Sequence, residues 1–340
     1  MTNTIKVAAA HYAPVLLDVG ATIDKACTVI EEAGRAGVGL LVFPEVFVPG
    51  FPYWINCYAP LVQAGLNRRY QDCSIEVPGP EIARVQAAAA RAGVVTVLGI
   101  SERARGGRTC YNSCVVIDAD GTVAGVHRKL QPTYAERMIW GQGDGSTLSV
   151  YDTEVGRVGT LACWEHTLNL ARHALVLQSE QIHAALWPGL STIAGFRELA
   201  DVQIEAMMKN HAITGQCFVV SAGHPVTQQM LDVMEQALGP QEFTGFGGGW
   251  SAIVHPFTAF CTPPHSGPEE RLVIADIDLD DIKDVKMWVD SAGHYSRPEV
   301  LGLWFDRKAK RPLVGARAPE PADAAEEADD EPQSQGGTQQ

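Results

Sequence analysis

The sequence predicts an α/β fold. Short apolar, β-rich runs alternate with helix-patterned stretches along almost the whole chain. Three of those runs stop at a polar residue able to do chemistry, Glu45, Lys129 and Cys163, as expected of a sheet whose strand ends carry a site. No linker-like stretch divides the pattern, and 46% hydrophobic residues in 340 are ample for a buried core.

The elements follow in order. Ile5 to Ala10 reads as a strand, Thr22 to Ala36 as a helix and Leu40 to Phe43 as a second, wholly apolar strand. Glu81 to Ala92 is helical in spacing, and Val94 to Ile100 is a strand. Tyr111 to Asp118 and Thr122 to His127 flank Asp120-Gly121, a dipeptide that favours a tight hairpin turn. Val158 to Ala162 is a further strand, followed by an apolar-periodic helix over Leu168 to Ser179 and a strand at His183 to Trp187. A long helix is expected from about Phe196 to Thr214, with strands near Phe218 to Ser221, Ser251 to Val254 and Leu272 to Ile277. The main domain is placed at residues 1–305 and a C-terminal extension at 306–340. From Ala318 onward that extension holds seven carboxylates and no Lys or Arg among Pro, Ala, Gly and Gln, the composition of a disordered acidic tail.

Charge narrows the partners. A formal net charge of −14 opposes a nucleic-acid or anionic-membrane surface, which needs a concentrated basic field. Small molecules fit better. The N-terminus lacks a basic segment ahead of a long apolar one, no run of about 18 apolar residues occurs later, and a cytoplasmic protein is expected. Eight cysteines without a C-x-x-C pair read as reduced thiols; Cys110 and Cys114 share a strand face but have no His at ligand spacing, so no metal site is assigned. The run Gly247-Gly248-Gly249 lacks the Lys-Ser/Thr that a phosphate loop requires.

Cys163, in Ala162-Cys163-Trp164-Glu165-His166, sits where a strand ends and a helix start would lower its thiol pKa. A thiolate there attacks an electrophilic carbon, with turn N–H groups available for developing charge. Glu45, in Phe43-Pro44-Glu45, is a carboxylate carried into a loop by a buried strand; a dry pocket would raise its pKa and suit it as a general base. Lys129, in His127-Arg128-Lys129-Leu130-Gln131-Pro132-Thr133, would keep the thiol's surroundings electropositive, and Glu136 would orient Lys129 or relay protons. Each residue alone also has an ordinary structural reading: a packed thiol, a turn cap, a solvated basic triplet, a surface pair with Arg137.

The ordered set carries more than its members. Leu41-Val42-Phe43-Pro44-Glu45, the lysine segment and Cys163-Trp164-Glu165-His166 together resemble the three catalytic motifs of the nitrilase superfamily, and the resemblance spans roughly residues 4 to 305. Pro132-Thr133-Tyr134-Ala135-Glu136-Arg137, Trp140-Gly141-Gln142-Gly143-Asp144-Gly145 and Asp290-Ser291-Ala292-Gly293-His294-Tyr295-Ser296-Arg297-Pro298 are similar to the nitrilase branch in particular. The resemblance implies a four-layer α-β-β-α sandwich, with Glu45 as general base, Lys129 stabilising the intermediate and Cys163 forming a thioimidate or thioester. It implies hydrolysis of an organic nitrile to acid and ammonia, with some amide by-product, no cofactor beyond water, and self-association as a dimer or a helical oligomer. An amidase or carbamoylase of the same superfamily, or a cyanide-degrading nitrilase, are the alternatives. The chain departs from the branch at Asn169, where a proline is common beside the nucleophile, and at Pro256-Phe257-Thr258-Ala259, where an altered surface hairpin is expected. A nitrile pocket should be mostly apolar, and Tyr53, Trp164 and Trp187 are assigned to its walls, with the N–H of Trp164 meeting the developing charge.

Overall fold

A computed structural model describes residues 3–310; the acidic tail expected from Ala318 lies outside them. The strands are β1 Thr4–His11, β2 Leu40–Val42, β3 Val95–Arg103, β4 Cys110–Ile117, β5 Val123–Arg128, β6 Tyr151–Thr153, β7 Gly156–Ala162, β8 Ile182–Trp187, β9 Phe218–Gly223, β10 Trp250–Val254, β11 His265–Ser266 and β12 Arg271–Asp278. The helices are α1 Val19–Arg35, α2 Ala64–Asp72, α3 Pro80–Ala92, α4 Asn169–Leu177, α5 Ala200–Gly215, α6 Gln228–Leu238 and α7 Asp281–Trp288.

Two six-stranded sheets form, in the orders β12-β1-β2-β3-β4-β5 and β11-β10-β9-β8-β7-β6. In each, the parallel strands sit at the centre, β1, β2 and β3 in one and β7, β8 and β9 in the other, and antiparallel strands flank them. Alternation along each strand sends side chains to two different cores. Val7, Ala9, Leu40, Val42, Val95 and Val97 meet Val158, Ala162, Ile182, Ala184, Leu186 and Val220 between the sheets. Ala8, Ala10, Leu41 and Leu98 face outward onto α1 and α3. Ala185, Trp187 and Val219 face outward on the second sheet, toward Ile204, Met208 and Ala212 of α5 and Met230 and Met234 of α6. The layer order is therefore helix, sheet, sheet, helix, as the resemblance implied.

Local chemistry accounts for the element ends. Asp18 caps α1, its side chain accepting from the N–H of Ala21, so the helix starts three residues ahead of the expected Thr22. Pro80 opens α3 and Gly93 closes it in the left-handed conformation. Phe196 to Leu199, expected as the first turn of α5, form turns before the regular helix, which begins at Ala200. The Asp120-Gly121 hairpin is present, and the Pro256 to Ala259 segment forms a turn closed by the His255 N–H on the Ala259 carbonyl at 2.8 Å.

Candidate active site

Four side chains reach one point from four strand or turn ends. Beyond β2 the chain crosses β3 so closely that a Cβ on Gly99 would lie 2.3 Å from the Pro44 carbonyl oxygen; only glycine admits that crossing, which delivers Glu45 between the sheets. The Glu45 N–H then donates to the Trp187 carbonyl at the end of β8. Lys129 follows β5, its N–H donating to the Asn112 carbonyl on β4 at 2.8 Å. Glu136 lies on a 3-10 turn, Tyr134–Met138, and accepts from the Thr133 N–H at 2.9 Å, so this carboxylate is fixed by its own turn. Cys163 opens the 3-10 turn Cys163–Thr167 with φ 54, a left-handed backbone that is costly for a residue with a side chain.

All four are buried. The Lys129 ammonium donates to Glu45 Oε1 at 2.9 Å and Glu136 Oε2 at 2.8 Å. Glu45 Oε1 also accepts from Asn112 Nδ2 at 2.7 Å, whereas Glu45 Oε2 is buried without a hydrogen-bond partner. A carboxylate oxygen of Glu45, one of Glu136 and the Cys163 sulfur lie within 4.8 Å of one another. Burial pushes the Glu45 carboxyl up to about 7, against the pull of Lys129. Burial also opposes the charge on Lys129, but Glu136 and Glu45 outweigh it and keep the ammonium above its ordinary range.

The thiol differs from the expectation of a helix-start thiolate. Burial and the neighbouring Glu45 raise the Cys163 pKa well above the ordinary thiol value, and a single 3-10 turn supplies too little dipole to reverse that. The resting group is a thiol beside a carboxylate with one free oxygen, an arrangement able to transfer the proton as the sulfur forms a bond.

A cavity of about 370 Å³ opens onto the sulfur, walled by Phe51, Trp164, Leu190, Ile193, Phe196 and Phe243, with Asn56, Thr133, Tyr134 and Glu136 as its polar members. A wider groove of about 700 Å³, running past Arg69, Glu76 and Arg103, includes none of the four side chains above. Of the residues assigned to the wall, Trp164 lines the cavity and Tyr53 and Trp187 do not. Tyr53 is fully buried and its hydroxyl accepts from the Gly189 N–H at 2.7 Å, which braces the loop that presents Leu190. Trp187 points outward from the end of β8 and is covered by the turn Cys163–Thr167, its ring 5.1 Å from and nearly parallel to that of His166. Asn169 opens α4 and accepts from Arg172; it is not among the cavity's lining.

Sequence reading passed over Asn112 and a third buried carboxylate, Glu165. Glu165 accepts from His127 Nε2 at 3.1 Å, from the Leu130 N–H at 2.8 Å and from the Ala162 N–H at 3.0 Å. It thereby joins the loop that carries Lys129 to the turn that carries Cys163. The adjacency of His127 and Glu165 to Lys129 and Cys163 in their motifs was the available signal; their mutual contact, across 38 residues, was not.

A sandwich of two sheets with a buried Glu-Lys-Glu-Cys cluster at the strand ends is the architecture on which the comparisons with known proteins converge. Residues 6–287 match the carbon-nitrogen hydrolase family, and the chain belongs to it. It is 40% identical to an aliphatic nitrilase of Rhodococcus rhodochrous over 92% of this chain and 85% of that one. It is 37% identical to an arylacetonitrilase of Aspergillus niger, over 92% of this chain and 94% of that one. These relatives place it among the nitrilases within that family. Among solved structures, a carbon-nitrogen hydrolase from Helicobacter pylori superposes with a TM-score of 0.66 at 22% identity, covering 84% of this chain and 94% of that one, a likeness of fold.

Proposed function

We propose that the protein hydrolyses an apolar organic nitrile to its carboxylic acid and ammonia, with Cys163 as nucleophile. The observation that carries this reading is the buried thiol beside a carboxylate that has one committed oxygen and one free. As Cys163 Sγ bonds to the nitrile carbon, its proton passes to Glu45 and from Glu45 to the nitrile nitrogen, which leaves a thioimidate and an ionised Glu45. Lys129 and the Trp164 N–H meet the negative charge that builds on that nitrogen. Water then loses a proton to Glu45 and adds to the carbon, ammonia leaves, and a second water hydrolyses the thioester to acid and thiol. Breaking the C–S bond before the C–N bond releases amide instead, so the minor product is set by which leaving group Lys129 and Glu136 protonate. Glu136 keeps Lys129 in line through both additions. The cycle draws on this chain's side chains and water alone.

The cavity supports an organic nitrile. Its volume, within the usual range for small-molecule sites, exceeds many times what cyanide fills, and its mainly aromatic and aliphatic wall offers little to a polar amide. We place the reaction in the cytoplasm, in keeping with eight free cysteines; among the described residues no helix is long and apolar enough to cross a membrane. We also propose self-association, supported by exposed apolar side chains on α4, α5 and residues 288–304.

The test is a panel of nitriles and the matching amides incubated with wild type and Cys163→Ala, with acid, amide and ammonia quantified by NMR. Nitrile turnover that disappears in the variant is expected. Turnover of amides without nitriles would replace this reading by an amidase.

A further inference from the structure

Behind Cys163, on the face of the second sheet turned toward α5, lies a chain of buried polar groups that the cycle above does not use. The Cys163 carbonyl is 2.7 Å from His166 Nδ1; His166 Nε2 is 2.8 Å from His183 Nε2; His183 Nδ1 is 2.7 Å from Glu180 Oε1; and Glu180 Oε2 is 2.9 Å from His211 Nε2. All of these side chains are buried. Glu180 fits under β7 because residue 159 is glycine: a Cβ there would lie 1.9 Å from Glu180 Oε1.

The hydrogens in this chain have a forced direction. A carbonyl only accepts, so His166 Nδ1 carries its hydrogen toward Cys163. Burial and the neighbouring His183 hold His166 neutral, which leaves its Nε2 as an acceptor, and His183 must donate to it. The far side of His183 then faces Glu180, so the His183–Glu180 pair holds one proton more than a carboxylate and a neutral ring would. Burial opposes charge on Glu180, but His183 and His211 outweigh it and hold the carboxyl down at about 2. His211 donates its Nε2 hydrogen to the other oxygen, and burial keeps it neutral, lowered to about 4. The remaining charged or titratable groups facing the chain are Arg172 on α4, Cys217 before β9 and Lys286 on α7.

We propose that His166, His183 and Glu180 are positioning residues for Cys163: a one-directional donor chain that holds the nucleophile's carbonyl, and with it the left-handed turn that aims the sulfur. The proposal rests on Cys163 being the nucleophile. Without the extra proton, His183 would turn its one hydrogen to Glu180. His166 would then have to donate from Nε2, leaving two acceptors, His166 Nδ1 and the Cys163 carbonyl, face to face. The turn would lose its only side-chain brace on that carbonyl among the described residues.

Three readouts test this. His166→Leu removes the donor to the Cys163 carbonyl, and iodoacetamide should then label Cys163 roughly ten-fold more slowly, with KM near that of wild type. His166→Asn keeps an N–H donor at the place of Nδ1; it should recover most of the activity and the labelling rate lost in His166→Leu. Should His166→Leu fail to fold, solid-state 15N spectra of histidine-labelled wild type decide. His166 is expected to be protonated on Nδ1 alone, with His183 donating to it from Nε2. A His166→Leu enzyme with wild-type kcat and labelling rate, a His166→Asn enzyme no better than His166→Leu, or a His166 protonated on Nε2 would overturn the proposal. Labelling and spectra need no nitrile turnover, so a failure of the nitrilase reading would show separately, as activity surviving Cys163→Ala.

Discussion

In the proposed cycle Glu45 meets two opposed demands: it must be ionised to accept the thiol proton, yet it is buried where ionisation is costly. Lys129 and Asn112 settle the balance at a pKa of about 7. Because the ionised form is the base of the proposed cycle, activity should rise as pH climbs through that value. Asn112→Leu removes a donor that favours the ionised form, and hydrogen bonds to charged groups are worth about 1.5–3 kcal/mol. The acid limb of kcat/KM should therefore move up by roughly one to two pH units, since one unit corresponds to about 1.4 kcal/mol, while the plateau at high pH changes little. A limb that stays in place while the plateau falls would mean that Asn112 acts on geometry instead. Residues of this kind mark the limit of sequence reading at this scale. Glu45, Lys129, Glu136 and Cys163 could be picked out because each closes or follows an apolar run inside a recognisable motif. Asn112 is one polar residue in a strand and announces nothing. The elevated thiol pKa was equally hidden, because burial on every side is a property of the assembled site and not of the turn.

The elements themselves were legible where their period was strong. The central strands and α1, α3 and α4 lie within a few residues of where alternation and 3.6-residue spacing put them. α2 and α7 were passed over because each buries only two side chains, Leu66 and Tyr70 in one and Ile282 and Val285 in the other, too few to imprint a period. α6 buries Met230, Leu231 and Met234 behind a Thr227 cap, a signal that was present and not taken up. What no period reports is the tie between elements. Glu165 holds the loop after β5, in the first sheet, to the end of β7, in the second. Burial opposes charge on both Glu165 and His127, yet each favours the charged form of the other, which raises the histidine and lowers the carboxyl. Replacing Glu165 by Gln leaves a buried imidazole without its counter-charge, and breaking such a pair typically costs about 3–5 kcal/mol. Urea denaturation of Glu165→Gln should show a loss of that order, together with a drop in kcat as Lys129 and Cys163 lose their common reference. A loss under about 1 kcal/mol with unchanged kcat would reduce Glu165 to a local cap.

At the scale of the molecule, alternating strands and helices declare an α/β protein but not the number of sheets; the second sheet entered the reading through family resemblance, and the layered cores now show its physical basis. The outer helices are less complete. Leu170 and Leu177 on α4, seven residues apart and so on one helical face, are exposed, as are Val202 and Ile213 on α5, three turns apart. Trp288, Leu301 and Trp304 are 73%, 80% and 85% exposed. Soluble monomers seldom leave so many large apolar groups in water, and a patch on one helix pair can be covered by its own copy through a two-fold axis. Light scattering at micromolar concentration should therefore give a mass of at least two chains. The double substitution Leu170→Glu and Val202→Glu places like charges opposite each other across such an axis, and should shift the mass downward without unfolding the chain, because neither side chain contributes to its core. Since Cys163 lies in the turn just before α4, the smaller species is also expected to lose part of its kcat. A monomeric wild type would remove the assembly altogether, whereas an unchanged mass in the double variant would move the interface to residues 288–304.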